Sequence, residues 1–193
     1  MIFDNLREII NPHPDILIDI QVYRGGDCVV LEENDPSATL RRVELVDFER
    51  DNTFAFKLDA EGKPISNYLH PSTSKINKAC DTIIFTKIEE LYYIFLCELK
   101  SKKPNIQDCI IKYRNSELFV RYLVGILERF YDVKIKFQYR FILFDTKKRT
   151  TKTPTKSRKI QPTVFTDSDR GTKINVYNIH HLDSFLNIRH LSL

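Results

Sequence analysis

The sequence predicts an α/β fold: a mixed β-sheet flanked by helices, with extra strands at the N-terminal end. Three observations carry this expectation. Residues 82–85 and 91–99 read as two apolar strands joined by a polar turn over Thr86–Glu90. The second run is apolar almost throughout, as in a strand buried on both faces. A long amphipathic stretch follows, and after it the segment 133–145 reads again as a strand. A strand, a helical crossover and a further strand are what a parallel pairing requires.

From the N-terminus, residues 3–10 predict a short helix, stopped by Pro12 and Pro14. Residues 16–23 fit a strand or a short helical turn equally well. Arg24–Asp27 is a turn signal without the Gly-Lys-Ser/Thr of a phosphate loop. Residues 28–31, 39–49 and 54–58 read as short strands, and the Pro- and Ser/Thr-bearing stretch 65–79 as a loop. Pro104 suits the first turn of a helix running to about Tyr131. Ile106, Ile110, Tyr113, Val120, Val124, Leu127 and Tyr131 fall on one face of it, with Ser116-Glu117 as a candidate break. In 133–145, Val133, Ile135, Phe137 and Tyr139 alternate with polar residues before a fully apolar run. Residues 173–177 predict a final strand and 182–188 a closing helix. His180, His181 and His190 gather near this end, but adjacent histidines on a strand point apart and make a poor shared metal site.

The 193 residues fit one domain. It divides into N-terminal strands and helix (1–64), a core (65–145), a basic loop (146–160) and a C-terminal strand and helix (161–193). The formal net charge of +4 is mildly basic and permits nucleic-acid binding without demanding it. Its distribution says more: residues 147–159, KKRTTKTPTKSRK, are basic and hydroxyl-rich, suited to tracking a phosphate backbone. No apolar run is long enough to cross a bilayer, and no secretory signal pattern opens the chain. A soluble, cytoplasmic protein without membrane association is expected. Cys28, Cys80, Cys97 and Cys109 lack the local spacing of a zinc site.

The chemistry concentrates at the ends of the predicted hairpin. Glu98 and Lys100 lie two apart on one strand and so share a face, with Leu99 on the other. Antiparallel pairing brings Asp81, at the start of the first strand, beside Glu98. Two hard carboxylates and an ammonium then converge at one sheet end, a donor set suited to Mg²⁺ or Mn²⁺.

The pattern Cys80-Asp81 … Glu98-Leu99-Lys100, followed by a helix, resembles the PD-(D/E)xK nuclease superfamily with its restriction-endonuclease-like core. The wider text over roughly residues 75–145 is similar to small bacterial nuclease-like proteins with a "CD … ELK" signature. The resemblance implies a Mg²⁺- or Mn²⁺-dependent nuclease acting on DNA rather than RNA, in a microbial-defence or mobile-element setting. It maps metal-binding roles onto Asp81 and Glu98, with the backbone carbonyl of Leu99, and a catalytic role onto Lys100. Cys80 stands where the family writes Pro. The helix position that is Gln in many relatives falls at Lys112, with Gln107 about a turn earlier, and either supports the site from the helix. Lys78, Lys102, Lys103, Lys147, Lys148 and Arg149 are the candidate contacts to nucleic acid. The alternatives are a non-catalytic nucleic-acid-binding module, or an interaction subunit in which the three charges form only a salt bridge. A homodimer or a protein partner is left open, since nothing in the sequence marks a dimer face.

Overall fold

The computed structural model describes residues 2–10, 12–23, 26–33, 35–60, 65–66, 69–70, 73, 75–146, 160–180 and 185–191. In chain order its elements are helix α1 (Ile2–Ile9) and strands β1 (Leu17–Ile18), β2 (Gln21–Tyr23), β3 (Gly26–Glu32), β4 (Arg42–Phe48), β5 (Thr53–Lys57), β6 (Thr82–Ile88) and β7 (Leu91–Lys100). Helix α2 (Ile106–Tyr131) follows, then β8 (Phe137–Asp145), β9 (Thr163–Thr166), β10 (Lys173–His180) and β11 (Phe185–Asn187). The protein is thus α/β with mixed sheets.

A seven-stranded sheet runs in the order β1-β5-β6-β7-β8-β10-β9, and a four-stranded sheet in the order β11-β4-β3-β2. In the larger sheet β5, β6 and β7 are antiparallel neighbours, whereas β8 lies parallel to both β7 and β10. Alternation along the central strands gives the sheet two apolar faces. Ile83, Phe85, Ile94 and Leu96 pack with Leu6 of α1 and with Ile110, Tyr113 and Val120 of α2. Ile84, Phe95, Cys97 and Leu99 pack with Val29 and Leu31 of β3 and Leu45 of β4. The strands of the first third therefore build the layer that covers the second face. Each fully buried large side chain contributes about 1.5–3 kcal/mol of transfer free energy, which explains the unbroken apolar run of β7.

Several expectations shift. The 16–23 stretch is neither one strand nor a helical turn: β1 joins the large sheet and β2 the small one. The hairpin turn is only Glu89-Glu90, because Ile88 pairs with Leu91. Glu89 takes a positive φ of 55°. Thr86, read as turn, is buried in the strand, its Oγ1 2.9 Å from that of Thr53. Helix α2 begins after Pro104, with the Asn105 side chain accepting from the amides of Gln107 and Asp108. It is unbroken at Ser116-Glu117. Ser116 falls on the buried stripe, and its hydroxyl accepts the Cys80 amide at 2.9 Å. Strand β8 starts at Phe137 rather than at residue 133, four residues after the alternation begins. The closing helix is replaced over its described part by β11, parallel to β4, and a 3₁₀ turn at Ile188–His190. Residues 182–184 and the basic stretch 147–159 lie outside the described residues. All four cysteines are buried free thiols.

Candidate functional site

The site is set by the register of one hairpin and clamped by one helix. Thr82 pairs with Cys97, so Asp81 sits one step beyond the last pair, opposite Glu98. The Leu99 amide donates to Asp81 Oδ2 at 2.6 Å, and Leu58 N–H donates to the Asp81 carbonyl at 3.0 Å. Helix α2 fixes the approach to Asp81. Ser116 holds the Cys80 amide, and the Asn115 side-chain amide donates to the carbonyls of Lys75 and Lys78, at 2.6 and 2.9 Å. Tyr113 ties α2 to β8, its hydroxyl donating to the Ile142 carbonyl at 2.8 Å. On the other side of β7, Ser101 accepts from Thr39 and Thr146 and receives the Leu40 amide, which fixes the strand's exit.

Glu98 is fully buried. Its Oε1 lies 2.6 Å from Lys100 Nζ and 2.9 Å from Lys112 Nζ. Lys112 also approaches Asp81 Oδ1 at 3.7 Å and Asp59 Oδ2 at 3.4 Å. Both Glu98 oxygens are buried and lack a hydrogen bond of good geometry among the described residues; Oε1 still has the two ammoniums at ion-pair distance, whereas Oε2 has neither. A buried, unpartnered carboxylate oxygen costs free energy. It is also the donor that a hard cation requires, so the Asp81–Glu98 pair fits a divalent metal. The Leu99 backbone reaches the pair through its amide, which is bonded to Asp81.

The electrostatics follow from burial and crowding. Desolvation, and next the Glu98 charge, push Asp81 up to about 7, against the lowering influence of Lys112, the Leu99 amide and Lys100. Burial disfavours the Lys112 charge, but Glu98, Asp81 and Asp59 outweigh it and hold its pKa above the usual lysine value. Lys100 is likewise raised: Glu98 and Asp81 overcome burial and the repulsion of Lys112. Both ammoniums thus stay charged at neutral pH, suited to binding anions and orienting a water rather than to accepting a proton.

Beside this cluster opens a cleft of about 720 Å³, lined by Asp15, Glu32, Glu33, Asp35, Lys57, Asp59 and Asp81 among others. Its walls come from both sheets and are predominantly acidic.

Of the sequence-derived residues, Asp81, Glu98, Lys100 and Lys112 come together. Gln107 does not join them: its side chain donates to the Thr166 carbonyl at 2.9 Å and accepts the Ser168 amide at 3.0 Å, fastening α2 to the end of β9. Lys78 is ion-paired with Asp108 of α2, and Lys102 and Lys103 are exposed beyond β7. Lys147, Lys148 and Arg149 lie outside the described residues. Sequence reading missed Asp59 and Ser116. Ser116 carried a signal, since it continues the spacing of Tyr113 and Val120. Asp59 carried none, because its position depends on β5 pairing with β6 across a long intervening loop.

No family model, curated protein or solved structure matches the chain.

Proposed function

We propose that the protein is a metal-dependent nuclease hydrolysing phosphodiester bonds, in DNA rather than RNA, with a restriction-endonuclease-like core. The observation that carries this reading is Glu98 Oε2, buried and unpartnered opposite Asp81, with two ammoniums at the other carboxylate oxygen. The succession β5-β6-β7-α2-β8, with α1 and the strands β1 to β4 ahead of it, antiparallel pairing up to β7 and parallel pairing after it, supports the same reading.

Asp81 and Glu98 would hold Mg²⁺ or Mn²⁺. Such an ion, when bound, polarises a phosphoryl oxygen and lowers the pKa of a coordinated water. Lys100 orients the attacking water and offsets charge gathering on the phosphate. Lys112 keeps the buried carboxylate compensated and positions it from the helix. The Leu99 amide holds Asp81 in the orientation that faces Glu98. Lys102 and Lys103, exposed just beyond the site, contact the backbone, and backbone contacts carry little sequence information. A microbial-defence or mobile-element role agrees with the same resemblance.

The ion pairs taken alone would also describe a structural network in a non-catalytic module or an interaction subunit. The unpartnered Oε2 favours the metal, because a purely structural network gains nothing from leaving it bare. The test is cleavage of linear duplex, circular duplex and single-stranded DNA, and of RNA, with Mg²⁺ or Mn²⁺. Wild type cuts and Glu98→Ala does not. Equal products from both proteins, or none from the wild type, would sink the reading.

A further inference from the structure

The edge of the sheet that carries Lys100 continues across two more strands. Lys100 pairs in register with Asp145 at the end of β8, and Asp145 with His180 at the end of β10. These strands are parallel, so three side chains leave the same carboxyl-terminal edge. Directly paired residues project from the same face of a sheet. Lys100, Asp145 and His180 therefore form one row on the face that also bears Glu98.

Asp145 and His180 are a built pair. The Asp145 carboxylate is buried, its side chain 3% exposed, and its Oδ1 lies 2.7 Å from His180 Nδ1. The imidazole is 29% exposed. Its Nδ1 is committed to the carboxylate, and Nε2 has no partner among the described residues. A buried acceptor that fixes one ring nitrogen leaves the other with a defined direction. When the ring is protonated, Nε2–H is a charge-assisted donor to a phosphate oxygen, and the Asp145 carboxylate compensates the ring charge from behind.

We propose that His180, oriented by Asp145, binds a phosphate that flanks the one held at Asp81 and Glu98. The inference rests on the hydrolytic reading of that site and adds a substrate-binding subsite to it. Neighbouring strands lie about 4.8 Å apart, which puts the His180 backbone roughly 10 Å from that of Lys100. The backbone of one strand separates successive phosphates by roughly twice the ~3.4 Å axial rise per nucleotide, so this distance spans one to two phosphates. His180 is too far along the row to reach the scissile phosphate and is spaced to hold one that lies one or two nucleotides away.

The test measures single-stranded DNA oligonucleotides of two to six nucleotides as competitors of a fluorescein-labelled 12-nucleotide strand, with Ca²⁺ replacing Mg²⁺. Wild type is compared with His180→Asn, whose side-chain amide can still donate to Asp145. In the wild type, affinity rises by about tenfold at the length that first reaches His180. His180→Asn lacks that step and matches wild type for shorter strands. The same length dependence in both proteins overturns the proposal. So does a uniform loss at every length, which marks a structural role, or failure of the wild type to bind the labelled strand. A step confined to the wild type, with no cleavage in Mg²⁺ or Mn²⁺, would sink the hydrolytic reading and leave the phosphate contact standing.

Discussion

Lys112, on the helix that follows the hairpin, places its ammonium 2.9 Å from the buried Oε1 of Glu98. It is the contact by which α2 compensates a carboxylate that, among the described residues, the sheet alone would leave with Lys100 as its one partner. Removing one member of a buried ion pair is far more costly than never having built the pair. Lys112→Met is therefore expected to lower stability by about 3 kcal/mol at neutral pH. Millimolar Mg²⁺ or Mn²⁺ should recover part of the loss by supplying positive charge at the same place. Urea denaturation with and without the cation checks both statements.

Ser116 is expected to act on the site from a distance. Its hydroxyl is the acceptor for the buried Cys80 amide, the residue just before Asp81. Ser116→Ala leaves that amide unsatisfied, at a cost of about 1–3 kcal/mol. It also loosens the approach to Asp81 and should weaken divalent-metal binding. Ser116→Thr, which restores the hydroxyl, should recover most of the affinity. Thermal melting beside metal titration separates the two effects.

The pH dependence of stability has a definite sign. Asp81 is raised from its ordinary 3.8 to about 7 in the folded protein. Between those values the folded chain keeps a proton that the unfolded chain has released. In the metal-free protein this group's contribution to stability therefore falls as pH rises from about 4 to about 7, then levels off. Asp81→Asn keeps an oxygen for the Leu99 amide and removes the titration. The difference in urea midpoint between Asp81→Asn and wild type should widen in favour of the variant over that window. A difference that is flat with pH would show that Asp81 ionises normally.

The acidic cleft makes a prediction about substrate. Glu32, Glu33, Asp35, Asp59 and Asp81 face the space beside the site, with Lys57 as the opposing charge on its wall. A phosphate backbone entering it meets repulsion unless a cation intervenes. DNA binding measured by fluorescence anisotropy should therefore be weak in EDTA and strengthen at least tenfold in Ca²⁺. Equal affinity in both conditions would separate nucleic-acid binding from the metal site.

What the sequence made legible was local. The faces of Glu98 and Lys100 follow from strand alternation alone, and the Asp81–Glu98 pairing from the hairpin between them. The span of α2 follows from the spacing of its apolar stripe and from Pro104 at its start. What stayed hidden depends on partners far away in sequence. Thr86 looks like a turn residue until Thr53 is placed beside it. Phe185–Asn187 looks helical until β4, some 140 residues earlier, offers a parallel edge. The 133–136 alternation is strand-like, yet pairing of β8 with β7 begins only where Tyr92 meets Phe137. The family resemblance points Gln107 towards the site, whereas the turn after β9 takes both ends of its amide.

The central claim is that Glu98 and Asp81 hold a divalent cation, and calorimetric titration with Mn²⁺ tests it most directly. Wild type, Glu98→Gln and Asp81→Asn would be compared, each first shown to be folded by circular dichroism. The account predicts one binding event in the wild type and its loss in both variants. Equal binding by all three proteins, or none by the wild type, would contradict it and leave Glu98, Lys100 and Lys112 as a structural ion network.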